Sequence, residues 1–541
     1  MSAMTIKRLG FGGMLCGAVA IAPACSGGGA GGDATVVATD PTTTAPRQPA
    51  VVASPPALVP EPPGADAGPT CTPAPQAAKG AADVQVTVRA DLGPNGFAKP
   101  SVVDQKIVGM NIADWRPQDY TPPDPKFLAL LSALRPGVLR WPAGHRSQEY
   151  VWQRGGEGQH GNWTLTPAQV DAFVALANAV KAEPLLAINV KTGTPAAAAD
   201  LVRYVNVDRA YGVKWFQVVN EPDLTDGIIP SPGVYAQQLI AFTNAMRAVD
   251  PNVKVVAPEL LTGANMLGIH DRVNWLLPVL QQAGDRIDGI SWHYYPLDSG
   301  QTNPTSSALM SLPHLFQETA SDWRPAGLAF ADEIMPALAT LRDAHSPGAS
   351  VWVTEFAEDP GPTSGAGFSD VVAGALWVGD ALGRYARYGP GAVLRWLFKG
   401  SEDHAYGLLD PENVPRPTYG AYWLYGRHVG RSFVDATTSA ITDVNVHAAL
   451  RGDGALTVLL VNKASVPRRV HVSLQAFGAC TADQLSLEGA GMTSKTFTIN
   501  GHTLNAANAD GTTVAPEAVD PTRLFEMELP PASMRLVAYR R

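Results

Sequence analysis

Apolar and polar residues follow two different patterns between residues 101 and 429. Short runs rich in β-branched residues are typical of buried strands, whereas longer stretches with apolar residues three or four positions apart indicate amphipathic helices. The clearest helix begins at Thr166, Pro167 and Gln169, which match a capping box with proline at the first helical position. Further helical patterns cover residues 195–205, 234–249, 273–283 and 371–388. Eight apolar runs lie between the helical patterns, and we predict them to be strands: 106–115, 137–141, 184–190, 215–221, 253–261, 287–295, 350–355 and 391–398.

Eight strand–helix units over roughly 320 residues predict a (β/α)8 barrel for residues 101–429. A doubly wound open sheet is the alternative, but no glycine-rich phosphate-binding turn follows any of the runs. The active residues of a barrel lie at the carboxyl ends of its strands. Functional residues are therefore expected where these runs end.

The pattern changes after residue 430 to short alternating segments, which predict an antiparallel β-sandwich for residues 430–541. Val470, Val472 and Leu474, for example, alternate with polar residues. The run 451–454, Arg-Gly-Asp-Gly, lies between two such segments, and we interpret it as a hairpin turn and not as a cell-adhesion motif. Val84, Val86 and Val88 alternate in the same way, so residues 83–100 are predicted to add a strand to the sandwich.

The first 25 residues have the pattern of an export signal. Lys7 and Arg8 precede an apolar stretch at 9–22 that is too short to span a membrane. Cys25 follows Ala22-Pro23-Ala24, which resembles a bacterial lipobox, so we expect lipidation at Cys25 and a cell-envelope lipoprotein on the outer surface or the periplasmic face. Cleavage after Ala24 and ordinary secretion is the alternative. Residues 26–82 are rich in Pro, Ala and Gly and predict a linker.

Composition bears on three further questions: nucleic-acid binding, disulfide formation and metal binding. A net charge of -9 provides no basic field for nucleic acid. Cys71 and Cys480 remain after the signal and the lipid site, and an exported protein either joins them in a disulfide or keeps two separate thiols. No pair of histidines has the spacing of a zinc site, so neither a metal nor another cofactor is assigned.

Two glutamates end predicted strands, Glu221 after the fourth run and Glu355 after the seventh. Strands four and seven lie nearly opposite each other at the mouth of an eight-stranded barrel, so their long side chains can converge on one sugar. A retaining glycosidase needs two carboxyl groups about 5 to 5.5 Å apart, one as nucleophile and one as acid/base. Like-charge repulsion between them is expected to raise the pKa of the acid. Glu259, which follows Ala257-Pro258 on the fifth run, is the alternative to Glu221, and the nearby Glu358 is the alternative to Glu355.

The order of the strand-end residues resembles that of a large superfamily of retaining glycoside hydrolases, whose acid and nucleophile glutamates end barrel strands four and seven. Within it, the sequences around residues 139–144, 189–195 and 292–295 look most like the α-L-arabinofuranosidases. Residues 220–224 look more like the xyloglucanase/endoglucanase or β-glucuronidase families. Ala143 and Val219 stand where the arabinofuranosidase pattern has glycine. The superfamily's functional positions match Arg140, Asn220, Glu221, His293, Tyr295, Glu355 and Trp396.

The resemblance implies a carbohydrate substrate, no cofactor, and catalysis by Glu221 and Glu355. In this interpretation Arg140 balances the charge of Glu355, Tyr295 hydrogen-bonds it, and Asn220 binds the hydroxyl next to the anomeric carbon. The expected substrate-binding residues are Arg140, Asn220, His293, Tyr295, Trp396, Asp114, Trp115 and Asn189. The alternative interpretation of His293 and Trp396 is ordinary core packing.

The predicted activity is hydrolysis of O-glycosidic bonds in plant or microbial wall carbohydrate. A non-catalytic carbohydrate-binding lipoprotein that kept the barrel is the alternative, and a purely structural lipoprotein is a third. A binding module needs aromatic platforms but not this pair of acids.

Overall fold

The computed structural model describes residues 72, 74, 82–224, 229–261, 266–268, 273–296, 331–358, 368–400 and 407–541. The predicted export signal, the lipid site Cys25 and most of the linker lie outside the described residues, as does Cys71. Export and lipidation therefore stay predictions. Cys480 is disulfide-bonded.

Eight parallel strands close into a barrel, and they follow one another around it in chain order. Each of the eight predicted runs contains or overlaps one of them. The barrel pairs its eighth strand with its first, through Leu394 opposite Gly109 and Arg395 opposite Met110. The predicted (β/α)8 barrel is therefore confirmed. Its strands are Gly109–Asn111, Val138–Trp141, Glu183–Ile188, Trp215–Val218, Lys254–Leu260, Gly289–Tyr294, Ser350–Phe356 and Ala392–Arg395.

Helices follow the strands and cover the outside of the barrel. The predicted capping box is present: the Thr166 side chain accepts a hydrogen bond from the Gln169 backbone, and the Gln169 side chain accepts one from the Thr166 backbone. The third helix continues into a π-helical segment, Arg203–Asp208. The α-helices of the described barrel are Pro125–Ala133, Pro167–Ala179, Pro195–Val202, Pro232–Val249, Leu276–Ala283, Ala331–His345, Val372–Ala386 and Pro417–Arg427.

The barrel interior is filled in layers. Toward the amino ends of the strands, a small apolar cluster includes Val138, Val256 and Trp352. The rings of Trp215 and Trp352 pack there with centroids 4.6 Å apart. Such a plug leaves only the carboxyl ends of the strands for polar groups, so it positions the functional residues at one face.

The C-terminal region forms a mostly antiparallel sheet of eleven strands that also includes strands from residues 84–102. Val84–Arg89 pairs in parallel with Arg468–Gln475 and antiparallel with Ser432–Thr438. The predicted hairpin joins Val444–Leu450 to Leu456–Asn462, with Leu450 opposite Leu456. The other strands are Ser101–Val102, Thr481–Glu488, Thr498–Ile499, Glu517–Ala518, Glu526–Leu529 and Ser533–Arg540.

One apolar cluster joins strands of this sheet that are not hydrogen-bonded neighbours. Val458 and Leu460 lie on the strand Leu456–Asn462, and Val472 lies on Arg468–Gln475, yet all three belong to the same buried cluster. Three other strands separate these two in the order of the sheet. The sheet therefore folds over its own core, as a sandwich does.

The helix Val372–Ala386 lies between the barrel and the sheet, and every one of its residues is buried. It packs against the strands Val444–Leu450, Leu456–Asn462 and Ser533–Arg540. A Cβ atom added at Gly379 would collide with Met534, and one added at Gly383 would collide with His447. These glycines therefore allow the sheet to approach the helix closely.

Within the described residues, the structure contains no helix that is both long and apolar enough to cross a membrane.

Candidate active site

The chain just after the fourth barrel strand places two polar side chains, Asn220 and Glu221, at the barrel mouth. The strand ends at Val218, and Val219 and Glu221 then adopt φ values of 82° and 45°. Such left-handed backbone is uncommon outside glycine and is least favourable for a β-branched residue. The Glu221 backbone N–H donates to the Glu259 carbonyl oxygen at 2.9 Å, which fixes the turn from the neighbouring strand.

Arg140 lies at the carboxyl end of the second strand and is fully buried. Its Nη1 donates to Asn111 Oδ1 and to Glu355 Oε1, each at 2.7 Å, and its Nη2 donates to Asn220 Oδ1 at 2.5 Å. Its Nε donates to the side chain of Gln217. The planar guanidinium thus joins four strands and presents a positive charge to Glu355.

Glu355 lies at the carboxyl end of the seventh strand and receives hydrogen bonds on both carboxylate oxygens. Arg140 donates to Oε1 at 2.7 Å, and the Tyr295 hydroxyl donates to Oε2 at 2.6 Å. His293 Nδ1 lies 3.5 Å from Oε2. The carboxylate is therefore held in one orientation by a cation and a hydroxyl.

His293 lies between three carboxylates. Its Nδ1 is 2.7 Å from Glu221 Oε1, and its Nε2 is 3.1 Å from Glu259 Oε2. Burial alone would lower the pKa of His293, but Glu355, Glu221 and Glu259 outweigh burial and raise it to about 10. At neutral pH the ring is an imidazolium that donates through both nitrogens.

The pKa of Glu221 differs from the expectation that like-charge repulsion raises it. Burial raises this pKa and is the largest single effect, but the positive charge of His293 and its hydrogen bond, together with smaller contributions from His145 and Arg140, outweigh burial, and the net shift is downward. The prediction from the sequence was wrong because it paired Glu221 with Glu355 and left out the imidazolium between them.

Two of the predicted aromatic residues lie beside this cluster. The rings of Trp115 and Trp396 are 6.2 Å apart and pack near Tyr295. A Cβ atom added at Gly144, whose φ is +59°, would lie 2.6 Å from the Trp396 ring. A glycine at 144 therefore lets the loop after the second strand lie against this tryptophan.

Asp114 and Asn189, also predicted to bind substrate, are engaged with neighbouring loops. Asp114 Oδ2 accepts from Arg146 at 2.6 Å, and burial raises the pKa of Asp114 although Arg146 opposes that shift. The Asn189 amide donates to Tyr150 O and to Thr192 Oγ1, and its oxygen accepts from the Thr192 backbone. Asn189 thus shapes the loop after the third strand and lies outside the carboxylate cluster.

The two alternative carboxylates have different surroundings. Glu358 is paired with Arg395 at 2.8 Å and accepts from Ser369 at 2.5 Å, so its bonds are those of a buried ion pair. Glu259 belongs to the cluster through His293, but its side chain has no exposed surface, whereas Glu221 is 8% exposed. Glu221 and Glu355 are therefore the carboxylates that line the mouth.

Gln217 was not predicted from the sequence. It lies inside the fourth strand, is fully buried, and binds Arg140. A lone glutamine within an otherwise apolar strand was the available signal, because a buried amide needs a polar partner.

Glu221, His293 and Glu355 also form the group that could best hold a metal within the described residues, with one ligand atom of each lying within 4.8 Å of the others. The 2.7 Å between His293 Nδ1 and Glu221 Oε1 is a hydrogen-bond distance. It is shorter than the roughly 3.3 Å that separates two ligands of one tetrahedral zinc ion. The arrangement is therefore that of a hydrogen-bonded cluster.

Comparison with known proteins gives distant relatives. No family model matches the chain. It is 24% identical over 309 residues to endoglucanase A of Paenibacillus lautus, covering 48% of this chain and 41% of that protein. It is 22% identical over 369 residues to heparanase of Rattus norvegicus, covering 63% of each. The chain thus spans less than two thirds of the length of these relatives.

Among solved structures, the fold is similar to that of the GH51 arabinofuranosidase from Xanthomonas axonopodis pv. citri. The TM-score is 0.62 at 18% identity, covering 85% of this chain and all of the other. The relatives and the structural neighbours of this chain are glycoside hydrolases, which confirms the predicted resemblance.

Proposed function

We propose that this protein is a retaining O-glycoside hydrolase that acts on plant or microbial wall poly- or oligosaccharides. The observation that carries the proposal is the separation of Glu221 and Glu355, which bring one carboxylate oxygen each within 4.8 Å of the other. Retaining enzymes have carboxyl groups about 5 to 5.5 Å apart, whereas inverting enzymes need roughly 6.5 to 9.5 Å to admit a water molecule.

The surroundings of the two glutamates support different roles. Glu355 is oriented by Arg140 and Tyr295, as a nucleophile must be, because the attacking oxygen needs a fixed line of approach. Glu221 has its Oε2 3.7 Å from His145, whose side chain is 60% exposed, so this oxygen faces the open side of the site. An acid/base that protonates a leaving group and later activates water needs that access.

The reaction then follows by double displacement. Glu355 attacks the anomeric carbon while Glu221 protonates the departing oxygen, and the glycosyl-enzyme is hydrolysed by a water molecule that Glu221 deprotonates. Asn220 accepts from Arg140 through Oδ1 and donates one amide hydrogen to Glu221 Oε2 at 3.4 Å, which leaves the second amide hydrogen for a sugar hydroxyl. Trp115 and Trp396 supply apolar surface on which a sugar ring can pack.

The names of the relatives support a carbohydrate substrate. They include an endoglucanase and an arabinofuranosidase, both named for the cleavage of glycosidic bonds. A non-catalytic carbohydrate-binding protein is the competing function. A panel of aryl glycosides separates the two, because turnover of any member requires catalysis.

The stereochemistry of azide products tests the roles of the glutamates. Glu355→Gly should abolish hydrolysis, and azide should restore turnover with inverted configuration because one displacement replaces two. Glu221→Ala should accumulate the glycosyl-enzyme from substrates with good leaving groups, and azide should then give retained configuration. Proton NMR of the azide products distinguishes these outcomes.

Glu358→Gly is the matched control, since it removes a buried glutamate outside the cluster. It should give neither azide rescue nor accumulation of the glycosyl-enzyme. Retained product from Glu355→Gly, or inverted product from Glu221→Ala, would show that the two roles are reversed. Full activity in either variant would contradict its place in catalysis.

A further inference from the structure

A third glutamate, Glu259, is bound to the site but cannot reach a substrate. It lies on the fifth strand with no exposed surface. Its Oε2 accepts a hydrogen bond from Thr354 Oγ1 at 2.6 Å and lies 3.1 Å from His293 Nε2. Its Oε1 has no hydrogen-bond partner among the described residues. A buried carboxylate in this position is costly unless it balances a nearby positive charge.

We propose that Glu259 is a positioning residue that acts through His293. The Glu259 carboxylate binds the Nε2–H group of His293 and so presents Nδ1 to Glu221. Nδ1 and Glu221 share the proton that is used in the acid step. This inference rests on the proposed hydrolase function. It assigns a task to a residue that does not touch the reacting atoms.

The charges in the cluster support this arrangement. The groups that face His293 in the described structure are Glu221, Glu259 and Glu355, with Arg140 4.0 Å from Glu259. His145 faces Glu221 from the exposed side. Three carboxylates against Arg140 and one imidazolium leave a net charge of about -1, which favours keeping the shared proton in the site.

The proton transfer balances without a change in total charge. The Nδ1–H bond of His293 breaks and an O–H bond forms on Glu221 across 2.7 Å, which turns an imidazolium and a carboxylate into a neutral imidazole and a carboxylic acid. Glu221 then protonates the leaving group. In the second step it takes a proton from water, and that proton returns to Nδ1. Glu259 holds Nε2–H throughout.

The geometry also explains why the free protein carries the proton on His293. The 2.7 Å contact between His293 and Glu221 raises the pKa of His293 and lowers the pKa of Glu221, and Glu355 and Glu259 also raise the pKa of His293. The two groups therefore titrate as a pair, and a pH profile reports the pair. Removal of the negative charge of Glu259 stabilises the deprotonated pair, so the alkaline limb should move to lower pH.

The first test compares the pH dependence of kcat/KM in full-length wild-type protein and in Glu259→Gln. The alkaline limb should move down by about one pH unit or more, the change expected when a charge in direct contact is removed. Substrates with poor leaving groups should lose more kcat than those with good ones, because only the former need the acid. Glu259→Asp retains the charge and should keep the limb close to that of the wild type.

Glu358→Gln is the matched control, because Glu358 is also fully buried and also bound by a hydroxyl. It should alter the amount of folded protein but not the shape of the pH profile. An alkaline limb in Glu259→Gln that stays with the wild type and Glu358→Gln would overturn the proposal, as would equal losses for good and poor leaving groups.

The second test does not depend on activity. In protein labelled with ¹⁵N-histidine, the His293 ring is assigned by its loss in His293→Gln. The ring should lose its proton at a pH about one unit or more lower in Glu259→Gln than in the wild type. Identical titrations would overturn the proposal. If the wild type hydrolyses no aryl glycoside, the proposed function fails while this measurement still decides the role of Glu259.

Discussion

The two glutamates at the barrel mouth differ in the groups that hold them. Glu355 has a cation on one oxygen and a hydroxyl on the other. Glu221 faces an imidazolium on one oxygen and the open side of the site on the other. The difference lies in neighbours from other strands, so a single residue's place in the sequence does not determine its chemistry.

Loss of the Tyr295 hydroxyl tests how strongly Glu355 depends on its orientation. Tyr295→Phe should lower kcat/KM about 10- to 150-fold, because a hydrogen bond to a charged group contributes about 1.5 to 3 kcal/mol. Steady-state kinetics with one aryl glycoside measures the change. Tyr425→Phe is the control, since that buried hydroxyl donates to Gly379 O at 2.7 Å outside the site. An unchanged rate in Tyr295→Phe would contradict the role given to this hydroxyl.

The sequence was sufficient to predict that Arg140, His293 and Glu355 lie together, because each lies at the end of a recognisable strand and strand ends meet at one face of a barrel. It did not reveal that the amide of Asn189 is hydrogen-bonded to Tyr150 and Thr192, outside the carboxylate cluster. It also gave the wrong direction for the pKa of Glu221. That shift depends on a 2.7 Å contact between residues 72 positions apart, which no local pattern contains.

At the level of elements, the helix Val372–Ala386 brings a buried charge to the sheet. Asp380 Oδ1 is 2.8 Å from His447 Nε2, and its Oδ2 is 3.3 Å from Lys463 Nζ. Asn445 also donates to Asp380. Burial lowers the pKa of His447 to about 4, although the hydrogen bond to Asp380 opposes that shift. The neutral ring is therefore the form that fits between helix and sheet.

Acid should weaken this contact. In the unfolded chain His447 binds a proton near pH 6.5, whereas in the folded protein it does so only near pH 4. The stability it contributes is therefore present above pH 6.5 and is lost as the pH falls toward 4, by at most about 3 kcal/mol. Thermal melts of His447→Gln at about pH 7 and about pH 4.5 should show a smaller difference than those of the wild type.

His502→Gln is the control for the acid effect, because His502 is an exposed histidine of the same sheet region. It should keep the pH dependence of the wild type. If His447→Gln and His502→Gln lose equal stability on acidification, the buried histidine is not the source of the acid sensitivity.

Most elements could be predicted, and the exceptions have different physical causes. The helix Pro417–Arg427 is buried on nearly all sides, so it has no polar face to give a helical period. The helix Pro125–Ala133 is only nine residues long. The first strand was predicted over 106–115 but pairs only over Gly109–Asn111, because a 3₁₀ turn, Gln105–Ile107, precedes it.

At the scale of the whole molecule, the sheet is expected to support the barrel and to do no chemistry. Deleting residues 430–541 would uncover one side of the helix Val372–Ala386, all of whose residues are buried. A large exposed apolar surface favours aggregation. The truncated protein should therefore be insoluble or melt at a much lower temperature, as measured by solubility and circular dichroism.

Gly383→Ala tests the same contact without removing any strand, because its added methyl group would collide with His447. It should lower the melting temperature of the full-length chain. A truncated barrel that folds and keeps the full melting temperature would contradict the supporting role of the sheet.

The buried helix Val372–Ala386 has a consequence for how such a protein can be recombined. An ordinary barrel helix faces the strands on one side and water on the other, so its outer side is free to vary. This helix instead has glycines at 379 and 383 that are matched to Met534 and His447 of the sheet. A segment that is moved to another protein as one unit therefore cannot begin at residue 430, where the sheet region begins. A chimera in which another barrel receives this sheet would have to inherit the helix with it.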